Sequence, residues 1–124
     1  MKKIISTPNA PAAIGPYSQA TATDSLIFTS GQLPIDPKTG ELVTEIKAAT
    51  KQSLENCKAI LEQEGSSLDN ALKVTVYMRD INDFAAMNEV YGEYFKQNSP
   101  ARSAFQVAAL PKNGIVEIEV IATK

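Results

Sequence analysis

Arg102 and Glu117, in the last quarter of the chain, are the side chains whose types and setting best suit chemistry. Arg102 follows Pro100-Ala101 and opens an apolar run to Leu110 and Pro111, while Glu117 and Glu119 alternate with Val116, Ile118 and Val120. A guanidinium presents a rigid fork of donors that matches a carboxylate through two hydrogen bonds at once. A carboxylate on a partly apolar strand face either pairs with a cation or does chemistry. On spacing alone, Arg102 fits a surface ion-pair partner better than it fits a ligand-binding group. The chain has no histidine and one cysteine, which excludes a zinc finger, a Ser-His-Asp triad, a Cys-His pair and an intrachain disulfide. Catalysis must therefore rest on carboxylates, arginine, hydroxyls and backbone groups.

The elements that position these groups follow from hydrophobic periodicity. Side chains alternate along a strand, so Val116, Ile118, Val120 and Ala122 share a core face, and Ile115, Glu117, Glu119 and Ile121 share the other. Arg102 and Glu117 are expected on paired strands. Leu72, Val74, Val76 and Met78 alternate with Lys73, Thr75, Tyr77 and Arg79, which predicts another strand with one core face. Earlier strands are predicted at Ile4 to Ser6, Ser18 to Ala22 and Leu26 to Gln32, the last two joined around Thr23-Asp24-Ser25.

A helix is predicted from Glu45 to Glu64, with Ile46, Ala49, Ser53, Leu54, Cys57, Ile60 and Leu61 inward and Gly65 beyond its end. Its outer face carries Lys51 with Glu55 and Lys58 with Glu62 as spaced opposite charges. A second helix is predicted with Asn82 as its cap and Phe84, Met87, Asn88, Tyr91, Tyr94 and Phe95 inward. Asn88 there fits either a satisfied buried amide or a site residue. Cys57 reads as a small core residue.

Strands, helix, strand, helix, strands without internal repeats predict an α+β fold, two helices on one face of a single sheet. The other face gathers Lys73, Thr75, Tyr77, Arg79, Glu117 and Glu119 among isoleucines. Such a mixture suits burial against another subunit, so a closed oligomer with inward-facing sheets is predicted.

The 124 residues suffice for one domain, residues 1–124, and not for two. With 44% hydrophobic and 21% charged residues the composition is that of an ordinary globular protein. No segment is apolar over a membrane-spanning length. Lys2-Lys3-Ile4-Ile5 is interrupted by Ser6, Thr7, Pro8 and Asn9 before a signal-peptide core forms, so the expected location is cytoplasmic. A net charge of −2 with scattered lysines leaves no basic patch for nucleic acid.

Pro100-Ala101-Arg102-Ser103-Ala104-Phe105-Gln106-Val107-Ala108-Ala109-Leu110, followed after a short gap by Val116-Glu117-Ile118, is similar to the signature of the RidA family. The resemblance extends through Asn9-Ala10-Pro11, Ile14-Gly15-Pro16-Tyr17-Ser18-Gln19-Ala20, Thr29-Ser30-Gly31-Gln32-Leu33-Pro34, Pro37-Lys38-Thr39-Gly40 and Asn82-Asp83-Phe84, covering essentially the whole chain. It implies a chorismate-mutase-like α+β fold, a homotrimer with clefts between subunits, and hydrolysis of 2-imino acids to 2-oxo acids and ammonia without cofactor or metal. In cells such an activity removes reactive products of pyridoxal-phosphate-dependent dehydratases.

The resemblance implies Arg102 as the carboxylate anchor and Glu117 as the residue that activates or positions water. It implies Tyr17, Ser30, Gly31, Asn88 and Ala104 as cleft residues that meet a small 2-imino or 2-oxo acid. Ala104 stands where many members of that family carry a cysteine, so only its backbone can contribute. Two other functions suit the same cleft: a non-catalytic carboxylate sensor or chaperone-like module, and the ribonuclease or translation-inhibitor activity attributed to some family members. The acidic balance and absent histidines count against the second.

Overall fold

The computed structural model describes residues 1–124. The elements are β1 (Lys3–Ile5), β2 (Ala20–Ala22), β3 (Leu26–Thr29), α1 (Ile46–Gln63), β4 (Ala71–Met78), α2 (Phe84–Tyr94), β5 (Ala101–Gln106) and β6 (Val116–Thr123). The six strands form one mixed sheet in the order β1-β2-β3-β6-β4-β5. Every pairing is antiparallel except β4 with β5, which are parallel and joined through α2. A parallel pair needs such a crossover, and the helix covers the sheet as it returns. The expected α+β layering holds.

One expectation fails here. Arg102 and Glu117 are not on paired strands, because β4 lies between β5 and β6. A long antiparallel register with β6, running from Met78↔Val116 to Ala71↔Ala122, occupies the edge that β5 would need.

Alternation along the strands separates the two faces of the sheet. Val74, Val76 and Met78 of β4, with Val116, Ile118, Val120 and Ala122 of β6, are at most 1% exposed. They pack beneath α1 together with Leu54, Cys57, Ile60 and Leu61 in one core. On the bare face, Tyr77 opposes Glu117, Thr75 opposes Glu119 and Lys73 opposes Ile121. Phe28 and Phe105 flank these rows at 40% and 44% exposed. Large aromatic rings on a face that also carries Ile4 and Ile121 leave apolar area in water that the chain alone does not cover.

The helix α1 begins where its sequence caps it. The Glu45 carboxylate accepts from the backbone N–H of Lys47 at 2.8 Å and of Ala48 at 3.0 Å, satisfying two otherwise unpaired donors. Gly65 ends the helix at a φ of +79°, a conformation glycine reaches without steric cost. The expected pairs on its outer face do not form. Glu55 instead accepts from the Tyr94 hydroxyl at 2.6 Å and ties α1 to α2, since an exposed Lys-Glu pair gains little over solvation.

The start of α2 also differs from expectation. A short 3-10 turn, Ile81–Asp83, precedes it, and the Asp80 carboxylate, not Asn82, does the capping by accepting from the Asn82 N–H at 2.9 Å. The buried stripe is Met87, Val90 and Tyr91, continued by Phe95. Asn88 lies outside it and is exposed. One residue of helical rotation carries position 88 away from the core and toward the edge strand β5.

Candidate active site

Tyr17, Ser30, Gly31 and Glu117 meet in one cleft of about 610 Å³ on the bare-face side of the sheet. Pro11, Ile14, Leu33 and Lys112 also line it. Tyr17 lies in the proline-rich connection between β1 and β2, just past a tight turn in which its N–H donates to the Gly15 carbonyl at 2.8 Å. Buried Gln19 fastens that connection. Its Oε1 accepts from the Thr7 N–H at 2.7 Å, and its Nε2 donates to the carbonyls of Thr7 at 3.0 Å, Ala10 at 3.2 Å and Pro11 at 2.8 Å. This organising role is absent from the sequence reading. A glutamine one residue before a strand gives no sign that its amide will fasten a loop 12 residues away in the chain.

The segment after β3 supplies Ser30 and Gly31. Ser30 Oγ donates to the Ser18 carbonyl at 2.6 Å. Gln32 then makes an isolated antiparallel bridge to Ile118, with backbone bonds of 2.7 and 3.1 Å. That bridge brings residue 31 against Glu117. A β-carbon on residue 31 would lie 2.7 Å from Glu117 Cδ and 2.9 Å from its Oε1, so any larger residue there must push the Glu117 carboxylate aside.

Burial pushes the Glu117 carboxyl above its ordinary value, and the neighbouring charge of Glu119 pushes in the same direction. The ion pairs of the chain are Lys3–Glu64, Lys47–Glu89 and Lys124–Glu64, so no cation neutralises Glu117. A carboxylate in that state is a stronger base than an exposed one and is open to a proton from outside the chain.

Arg102 lies on the opposite face. It pairs in register with Val74, whose side chain is in the core, so Arg102 and its alternate neighbour Ala104 face the helix side of the edge strand. The Arg102 Nη1 donates to Asn88 Oδ1 at 2.7 Å. Its guanidinium carbon sits 4.6 Å from the centre of the Tyr91 ring and 5.3 Å from that of Phe84. Arg102 makes no ion pair within the chain. Ala104 is partly buried against the core. Within one chain the predicted site residues thus form two groups, Tyr17-Ser30-Gly31-Glu117 and Asn88-Arg102-Ala104, separated by the sheet. No three His, Cys, Asp or Glu side chains gather where they could hold a metal ion. No helix is long and apolar enough to cross a membrane.

Comparison with known proteins gives this geometry a family. Residues 7–124 match the family model described as Endoribonuclease L-PSP. The chain belongs to that family. A RutC family protein of Pyrococcus horikoshii is 58% identical over an alignment that covers 100% of this chain and 99% of the relative. The 2-iminobutanoate/2-iminopropanoate deaminase of Bos taurus is 53% identical over 100% of this chain and 91% of its own. The crystal structure of Escherichia coli TdcF with bound serine superposes with a TM-score of 0.95 at 47% identity, covering 98% of each chain. The resemblance to the RidA family seen in the sequence is therefore borne out, with relatives in this Endoribonuclease L-PSP family named for deamination of small 2-imino acids.

Proposed function

We propose that this protein hydrolyses small 2-imino acids, of the 2-iminobutanoate and 2-iminopropanoate type, to 2-oxo acids and ammonia. The observation that carries the reading is an arginine whose charge no acid of the chain cancels, in a chain that also holds a carboxyl of raised pKa beside an open cleft. Relatives named as deaminases of this kind, about 50% identical over their shared length, support it.

Because the two groups of residues lie on opposite faces of one sheet, the reading requires a neighbouring subunit. The Arg102 group of one chain faces the Glu117 cleft of the next in a homotrimer whose bare sheet faces turn inward. A closed ring also covers Phe28 and Phe105. Light scattering should give three times the 13.4 kDa chain mass. A mass of one chain would overturn the shared site.

The chemistry follows from these roles. Arg102 binds the substrate carboxylate through its fork and fixes the C=N carbon against the cleft. Glu117 takes a proton from water as the oxygen bonds to that carbon. With the imine entering in its protonated form this gives a neutral carbinolamine, which then collapses. Glu117 returns the proton to nitrogen, and the C–N bond breaks as the hydroxyl oxygen forms the C=O and passes its proton to the freed Glu117 carboxylate. Ammonia leaves with the 2-oxo acid, and Glu117 releases that last proton to solvent. Imines hydrolyse in water unaided, so orientation and one proton shuttle suffice.

The test couples a threonine dehydratase to this protein and follows imine decay against 2-oxo acid appearance. Faster decay with wild type and not with Arg102→Ala supports the reading. Equal decay with both removes it and favours a carboxylate sensor. Mixing Arg102→Ala with Glu117→Gln subunits should restore roughly a quarter of wild-type turnover, because random assembly returns both intact groups to that share of shared clefts. No restoration would place both groups in one chain's site. RNA cleavage surviving Arg102→Ala would favour the nuclease function that the family description carries.

A further inference from the structure

Phe84, Asn88 and Tyr91 occupy positions i, i+4 and i+7 of α2 and therefore share one helix face. All three meet the Arg102 guanidinium, two through ring faces and one through the 2.7 Å bond to its amide oxygen. We propose that Phe84 and Tyr91 are positioning residues, which hold the Arg102 fork in its carboxylate-binding orientation while leaving its charge intact. This inference rests on the reading of Arg102 as the carboxylate anchor.

The choice of residue types explains the device. An acid at position 88 would grip Arg102 more firmly, yet it would cancel the charge and compete with the incoming carboxylate. An aromatic face attracts a cation without neutralising it. Of the five N–H donors of a guanidinium, Asn88 takes one, and the remainder stay available for a two-point contact. An arginine without these walls would sample many rotamers, and its ordering would weaken binding when the ligand arrives.

The ring of Tyr91 is itself held in place. It is 6% exposed and lies 4.6 Å, centre to centre, from the Phe95 ring. Its buried hydroxyl has no hydrogen-bond partner. The ring face, not the hydroxyl, is thus the part that acts on Arg102.

Steady-state kinetics on dehydratase-generated imine, with calorimetric titration of 2-oxobutanoate, separate these roles in Phe84→Leu, Tyr91→Leu, Tyr91→Phe and Arg102→Ala. Phe84→Leu and Tyr91→Leu should each raise KM and the 2-oxobutanoate Kd roughly threefold to tenfold, the size of a partly exposed cation–π contact. Their kcat should stay within about twofold, since a purely orienting wall acts on binding. Tyr91→Phe should return KM to the wild-type value. Should Tyr91→Leu fail to fold, half-buried Phe84 carries the same test. Unchanged KM in Phe84→Leu and Tyr91→Leu, or a Tyr91→Phe protein as impaired as Tyr91→Leu, would overturn the proposal. If Arg102→Ala kept wild-type KM and turnover, the anchor reading beneath it would fall instead.

Discussion

Gly31 and Glu117 are packed so closely that a β-carbon on residue 31 would come within 2.7 Å of the Glu117 carboxyl carbon. The contact is a consequence of the Gln32–Ile118 bridge, which fixes both backbones and leaves the side chain of residue 117 as the part able to move. Gly31→Ala should therefore fold and displace the carboxylate. A displacement of about 1 Å in a positioned group costs on the order of a hundredfold in rate. Imine hydrolysis by Gly31→Ala at saturating substrate, beside a circular-dichroism melt, checks this. Wild-type turnover in a folded variant would show that Glu117 tolerates displacement.

Glu117 is held at a cost to stability. Its carboxyl is raised by burial first and by Glu119 second, so the folded protein binds this proton more tightly than the unfolded chain. The resulting stabilisation is fully present below the ordinary carboxyl pKa and is lost as pH rises through the raised folded value. Glu117→Gln should then melt higher than wild type at pH 7, and the two curves should converge in acid. Its imine turnover should fall by about 10²–10⁴-fold, the usual contribution of a general base. A variant that melts lower at pH 7 would mean that Glu117 has a stabilising partner.

Much of this arrangement is legible in local sequence, and the remainder is set by contacts distant in the chain. The ends of α1 lie within one residue of expectation because Glu45 and Gly65 act on their immediate neighbours. The two faces of β4 and β6 are readable because alternation is a local property. The insertion of β4 between β5 and β6 is not, since a parallel crossover leaves no mark on the strands it joins. The inward stripe that helical spacing predicts for α2 includes Asn88, and a single helical step places it outside the buried residues instead. The fastening of residues 7–11 by Gln19 depends on a loop closing over one amide, which no spacing encodes.

Glu64, at the end of α1, receives Lys3 at 2.9 Å and Lys124 at 3.1 Å on the same oxygen. It thereby joins the first strand and the last residue of the chain to one helix end. The Lys3 contact first, and the Lys124 contact second, lower its carboxyl below the ordinary value. Stability from a depressed carboxyl is present above its unfolded pKa and lost as pH falls through the folded one. Glu64→Gln should melt below wild type at neutral pH, with a gap that narrows in acid and in high salt. Melts at pH 7 and pH 3, each at low and high salt, test it. A gap indifferent to both would assign the effect to packing.

Cys57 is fully buried against β6, where its Sγ donates to the Ile118 carbonyl at 3.5 Å. Burial pushes its thiol up to about 12, so almost none is thiolate at physiological pH. Because the thiolate is the nucleophile, the single cysteine should be inert while the protein is folded. Iodoacetamide at pH 8 should leave the native protein unmodified, and the same reagent in denaturant should alkylate one site per chain. Removing the sulfur should affect packing rather than turnover. Cys57→Ala is expected to lower the melting temperature while keeping KM and kcat for imine hydrolysis, because position 57 lies in the core and outside both groups of site residues. Rapid native labelling, or loss of turnover in a folded Cys57→Ala protein, would bring this thiol into the chemistry after all.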